Sequence, residues 1–142
     1  MPIDYKISTE FDIAVFRWIG IVTLNDYLEA LAAYVTDSKF RAGRRELVDT
    51  SDLKDFATDF RGMMAALRHA STRYNSQKTP ARTVIWSPRE YVFGLSRMMQ
   101  QIAEFDSGIS VDVVTDEKAA LAKLGIAHES IANLINAIDD VE

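Results

Sequence analysis

The residue types best suited to chemistry are few in this chain, and most of their spacings lead away from it. Its two histidines, His69 and His128, each lack a second histidine one helical turn away, the pairing that holds a metal on a helix face. Cysteine is absent, which removes disulfides, thiol nucleophiles and thiolate zinc sites together. The six glycines stand at least fourteen residues apart, whereas a dinucleotide fingerprint or a phosphate-binding loop clusters them so that backbone can approach phosphate. Gly94-Leu95-Ser96-Arg97-Met98 starts like a nucleophile elbow but lacks the second glycine, and Ser96 reads as a helix-surface residue. No cofactor and no metal are expected. What remains is a set of short polar groups: Asp49, Thr50, Ser51 and Asp52, then Ser87 and Arg89, then Thr115 and Asp116.

Those groups gain meaning from the elements that carry them. Residues 3–8 and 13–22 read as strands, the second a nearly continuous run of β-branched and aromatic side chains (Val15, Phe16, Trp18, Ile19) suited to a central position. Thr23 then caps a helix, with Asp26 completing the cap and Val22 and Tyr27 at staple spacing. Leu24, Tyr27, Leu28, Leu31 and Val35 recur at the spacing of one buried face. Residues 46–50 read as a third strand. A second helix runs from Thr58 or Asp55 to about residue 74 and buries Phe60, Met64, Leu67 and Tyr74. Residues 82–86 are a fourth strand. After it Ser87 is expected as cap, Pro88 as first helical residue, and Trp86 with Tyr91 as staple, for a helix continuing through Leu95, Met98, Met99 and Ile102. Residues 111–114 form a fifth strand, followed by a short helix ending at Gly125 and a last amphipathic helix with Ile131, Leu134, Ile135 and Ile138.

The order β-β-α-β-α-β-α-β-α-α means an α/β protein with a mixed, largely parallel five-stranded sheet and helices packed on it. In such sheets functional groups gather beyond the carboxyl ends of the strands, so the polar groups become a rim: Ser87, Arg89, Thr115 and Asp116 beside the Asp49 stretch. Ser87 and Asp116 already have capping work there.

Hydrophobic residues make up 48% of the chain and charged residues 26%, the balance of one globular domain. Residues 1–142 are read as that domain, with 127–142 a helical extension. The net charge of −5 is uneven: residues 1–38 and 105–142 are net −4 and −6, and residues 39–104 net +5. An acidic whole argues against general nucleic-acid binding, while the basic middle suits an anionic partner or plain solvent. The longest uncharged apolar run, residues 30–35, is too short to enter a bilayer as a span. Met1-Pro2-Ile3-Asp4 does not start like a signal peptide, so a cytoplasmic protein is expected.

The element order, the size and the stretch Leu47-Val48-Asp49-Thr50-Ser51-Asp52-Leu53, with Phe93-Gly94-Leu95 after Ser87-Pro88, resemble the STAS domain. More narrowly, the chain resembles the small bacterial SpoIIAA-like proteins related to anti-sigma-factor antagonists. The resemblance implies a SpoIIAA-like fold and a non-enzymatic protein-interaction or regulatory module. In the antagonists, the loop before the second helix carries an Asp-Ser-Ser-Gly-like run whose serine the partner kinase phosphorylates. Here Lys54-Asp55-Phe56-Ala57-Thr58-Asp59 has neither that serine nor the glycine, so the switch is not carried over. The resemblance places partner contact on this loop and helix, an expected surface of Asp49, Ser51, Asp52, Asp55, Thr58, Asp59, Arg61 and Arg68, with Arg73 on the same basic helix. As an alternative it implies a small lipophilic ligand between sheet and helices, lined by Trp18, Phe60, Trp86 and Tyr91. An enzyme ranks third. The apolar stripe of the last helix needs cover, either from a second copy in a homodimer or from the chain's own domain.

Overall fold

The structure, a computed structural model, is described for residues 2–75, 81–106 and 109–141. In chain order the elements are β1 (Ile3–Ser8), β2 (Ile13–Trp18), β3 (Gly20–Thr23), α1 (Leu24–Thr36), β4 (Arg45–Asp49), β5 (Leu53–Ala57), α2 (Phe60–Asn75), β6 (Ala81–Trp86), α3 (Glu90–Asp106), β7 (Ile109–Val114), α4 (Glu117–Leu124) and α5 (Ile131–Val141). The main sheet has the expected five strands, in the order β1-β2-β4-β6-β7. Only β1 is antiparallel to its neighbour; β2, β4, β6 and β7 run parallel.

The expected long strand over 13–22 breaks in two. Trp18 ends β2, and Gly20, at φ 68°, turns the chain out of the main sheet in a conformation that suits glycine. Its amide donates to the Asp52 carbonyl at 2.9 Å, which starts a separate parallel ribbon of β3 with β5. β5 occupies residues expected to be a loop. Its pairing skips a residue, Gly20 facing Leu53 and Ile21 facing Asp55, so Lys54 is an extra residue on that strand. The bulge puts buried Leu53 and Phe56 three apart and hides the alternation of a strand.

Both faces of the main sheet are covered. Ile13, Val15, Leu47 and Val84 pack against Ala120, Leu121 and Leu124 of α4 and Ile131, Leu134 and Ile138 of α5. The opposite face carries Ile3, Phe16, Trp18, Val48 and Ile85, covered by α1, α2 and α3. The stripe of α5 is therefore buried by the chain's own sheet, with Leu134 fully enclosed.

Two helix starts agree with the local signals. Thr23 and Asp26 form the reciprocal cap of α1, and Asp116 caps α4, which ends at Gly125 in the left-handed conformation. Two others differ. α2 starts at Phe60, and Asp59 rather than Thr58 accepts from the Gly62 amide at 2.7 Å, so the capping role of Thr58 is corrected. Phe60 at that first position is 56% exposed, and the buried face is made by Met63 and Ala66 instead. The side chains of Leu67, His69, Arg73 and Tyr74 lie outside the described residues. α3 starts at Glu90; Ser87 is fully buried and caps nothing, and Tyr91 is 61% exposed and forms no staple with Trp86.

Candidate functional site

The carboxyl ends of the strands do gather the expected polar rim, and most of it is saturated. Asp49 closes β4 almost buried; its Oδ1 accepts from the Ser51 amide at 2.9 Å and the Ser51 hydroxyl at 2.7 Å. Its Oδ2 lies 3.7 Å from Arg17 Nε, while Arg17 Nη2 donates to Asp52 at 3.1 Å. Thr50 donates to the Trp86 carbonyl at 2.6 Å and lies 2.9 Å from Ser87 Oγ, which is 2.7 Å from Ser96 Oγ. Ser96 is thus a buried link in a hydroxyl chain, not the surface residue its sequence context implied. This chain of three hydroxyls, ending on the Trp86 carbonyl, gives each hydroxyl a partner. Arg89, Thr115 and Asp116 stay exposed at this end, Asp116 as the cap of α4. Among the described residues no group of three or more His, Cys, Asp or Glu side chains is placed to hold a metal. No helix there is long and apolar enough to cross a membrane.

The expected interaction residues fall on the β3–β5 ribbon and its exits. Asp55 on β5 accepts from the Tyr91 hydroxyl at 2.7 Å and faces Ile21 of β3 in register. Paired positions of a ribbon share a face, so exposed Ile21, Asp55 and the Tyr91 ring neighbour one another. Asp52, Asp59, Phe60, Arg61 and Arg68 are exposed beyond them, whereas Asp49 and Ser51 turn inward to the Arg17 network and Thr58 is half-buried.

The four aromatics expected to line one apolar space do not meet. Phe60 and Tyr91 are at the surface. Trp86 packs toward α4 and α5, donates to the Thr115 carbonyl at 3.2 Å and lines an open cleft of about 350 Å³ with Arg17, Asp49 and Ile135. Trp18 alone of the four lines a chamber on the other face. That chamber, of about 90 Å³, lies between the main sheet and helices α1 and α3. Among the described residues its walls are apolar, Phe16, Trp18, Tyr27 and Met99 among them, except for Glu46 and Thr83. Those two pair in register on β4 and β6, and Thr83 donates to Glu46 Oε1 at 2.7 Å with both side chains buried. The Tyr34 hydroxyl is buried close to Glu46. Burial, reinforced by the Glu46 charge, pushes the hydroxyls of Tyr27 and Tyr34 well above the usual tyrosine range. Sequence reasoning missed Glu46 and Thr83. The available signal was Glu46-Leu47-Val48 beside Thr83-Val84-Ile85, a polar residue just before the apolar run of each of two central strands.

No protein-family model matches the chain, and no curated protein does. Two solved structures share its architecture. One is an uncharacterised protein of the DUF3478 family with a SpoIIAA-like fold from Shewanella loihica, 16% identical, with TM-score 0.54 over 86% of this chain and 91% of that one. The other is the anti-sigma factor antagonist SpoIIAA in its unphosphorylated form, 13% identical, with TM-score 0.51 over 87% of this chain and 99% of that one. With the sheet order and flanking helices described above, they show that this chain has the SpoIIAA-like, STAS-type fold.

Proposed function

We propose that the protein is a non-enzymatic interaction module of the cytoplasm that binds a protein partner through the β3–β5 ribbon and the start of α2. The observation that carries this reading is the exposure of large apolar side chains on these elements: Ile21 at 60% on β3, Phe60 at 56% at the start of α2, and Tyr91 at 61%, whose hydroxyl donates to Asp55 of β5. The same segments carry the charged residues Asp52, Asp55, Asp59, Arg61 and Arg68, with Arg89 just before α3. Apolar anchors inside a charged rim are the usual composition of a protein contact, in which the rim sets partner choice and association rate. SpoIIAA, whose fold is shared, is described as an antagonist of an anti-sigma factor, that is, a protein acting on another protein.

Affinity capture from native lysate, read by mass spectrometry, tests this. The pair Arg61→Glu and Arg68→Glu reverses the charge of two exposed positions on one helix stripe, and circular dichroism of each variant checks that the fold is kept. The protein captured by the wild type is expected to be lost from the double variant, and also from Phe60→Ser with Tyr91→Ser. Equal capture by both variants would place the contact elsewhere.

A second reading is supported by the chamber at Trp18, which lies between sheet and helices where a small apolar ligand fits.

A further inference from the structure

We infer that the chamber at Trp18 takes a small neutral alcohol, its carbon body in the chamber and its hydroxyl donating to Ser96; this rests on the reading that the chamber holds a ligand. The hydroxyl chain beside the chamber has a fixed direction. The Trp86 carbonyl can only accept, so Thr50 Oγ1 donates to it at 2.6 Å. The 2.9 Å contact of Thr50 with Ser87 then uses the Ser87 hydrogen, and the 2.7 Å contact of Ser87 with Ser96 uses the Ser96 hydrogen. Thr50 and Ser87 therefore each donate and accept. Ser96 Oγ donates but accepts nothing among the described residues, and Ser96 is only 2% exposed.

Ser96 lines a lobe of about 10 Å³ that shares Trp18, Val48, Ile85 and Met99 with the chamber, so the two spaces adjoin. A lobe of that size has room for one water-sized group. The group that fits is a donor, because the hydroxyl hydrogens there are all committed and Ser96 offers lone pairs alone. None of the described residues around the lobe is charged, so an ammonium or a carboxylate would lose its hydration with no opposite charge to meet it. At the far end of the chamber Glu46 takes the Thr83 hydrogen bond at 2.7 Å and lies close to the Tyr34 hydroxyl, which leaves the space between to an uncharged body. An apolar cavity of about 150 Å³ holds benzene, so a chamber of about 90 Å³ holds about four non-hydrogen atoms. Four carbons with an oxygen in the lobe make 1-butanol.

Methyl NMR titration of the whole chain with 1-butanol, its isomer methyl propyl ether and xenon tests the assignment. The isomers contain the same atoms, and only the alcohol has a hydrogen to donate. 1-Butanol is expected to bind about fivefold tighter than the ether, the worth of one net hydrogen bond. It is also expected to shift the methyl signals of Ile3 and Leu31 in the chamber together with those of Leu53 and Leu95 at the lobe. Ser96→Ala is expected to remove the advantage of the alcohol and leave xenon binding unchanged. Ether bound as tightly as alcohol, the result if the lobe keeps a water of its own, overturns the assignment while xenon binding leaves the ligand reading standing. So does an alcohol advantage that survives in Ser96→Ala. No response to any probe overturns both. If Ser96→Ala does not fold, the ranking of the two isomers on the wild type decides.

Discussion

Asp12 is a single residue on which three basic side chains converge. It sits at φ 54°, a conformation that costs most residues energy but that aspartate and asparagine tolerate. Its carboxylate accepts from Arg41 at 2.5 Å and Arg44 at 2.7 Å, and its carbonyl accepts from Arg45 at 3.2 Å. The Arg41 hydrogen bond first, with the charges of Arg41, Arg44 and Arg45 behind it, holds its carboxyl below the usual range against an opposing effect of burial that exceeds any one of those charges. A carboxyl lowered on folding stabilises the fold above its unfolded value of about 3.9, and that contribution is lost as pH falls through the folded value. Asp12→Asn keeps the backbone tolerance and removes the charge. Thermal unfolding across pH 2 to 7 is expected to show a lower midpoint for the variant at neutral pH and convergence with the wild type in acid. A constant gap between the two curves would assign the role of Asp12 to geometry instead of charge. Nothing in the sequence pointed to this cluster, because its members lie about thirty residues apart and meet only through the β1–β2 turn.

At the scale of elements, legibility followed the range of the physics. The caps of α1 and α4 depend on residues three apart in sequence, so Thr23 with Asp26 and Asp116 with Ala119 were readable and are present. Ser87 carried the same kind of signal before Pro88 and Glu90, yet its hydroxyl bonds Thr50 and Ser96, a choice set by the neighbouring strand. β5 was hidden by a bulge, and the exit of β3 by a glycine that looked like part of a strand. The candidate surface was readable as a region from the resemblance. The Glu46 chamber was not, because it needs the register of β4 and β6. The apolar stripe of α5 was plain, and what covers it was not. Leu134 is fully buried against the sheet, so Leu134→Ala is expected to cost about 2–5 kcal/mol by urea unfolding. A cost below about 1 kcal/mol would mean that α5 detaches from the sheet in solution and leaves its stripe for another partner.

The whole molecule has apolar cores on both faces of one sheet, and that arrangement bears on its association. The expectation of a homodimer came from the stripe Ile131, Leu134, Ile135 and Ile138 needing cover. Three of those four are buried within the chain and Ile135 packs beside them, so folding already supplies the gain in burial that dimerisation was expected to supply. What the surface still offers is the patch at Ile21, Phe60 and Tyr91. For a symmetric dimer that patch would have to meet its own copy, setting Asp52, Asp55 and Asp59 against the same acidic groups. Like charges brought together across an interface oppose binding, and Arg61 and Arg68 relieve this only if the two-fold axis sets them opposite the aspartates. A partner of different sequence is under no such constraint. The protein is therefore expected to scatter light as a monomer of 16.0 kDa, with no rise in mass as concentration increases. A concentration-dependent dimer that Phe60→Ser with Tyr91→Ser abolishes would show that the patch meets its own copy. A dimer that survives those changes would place the contact on a different face.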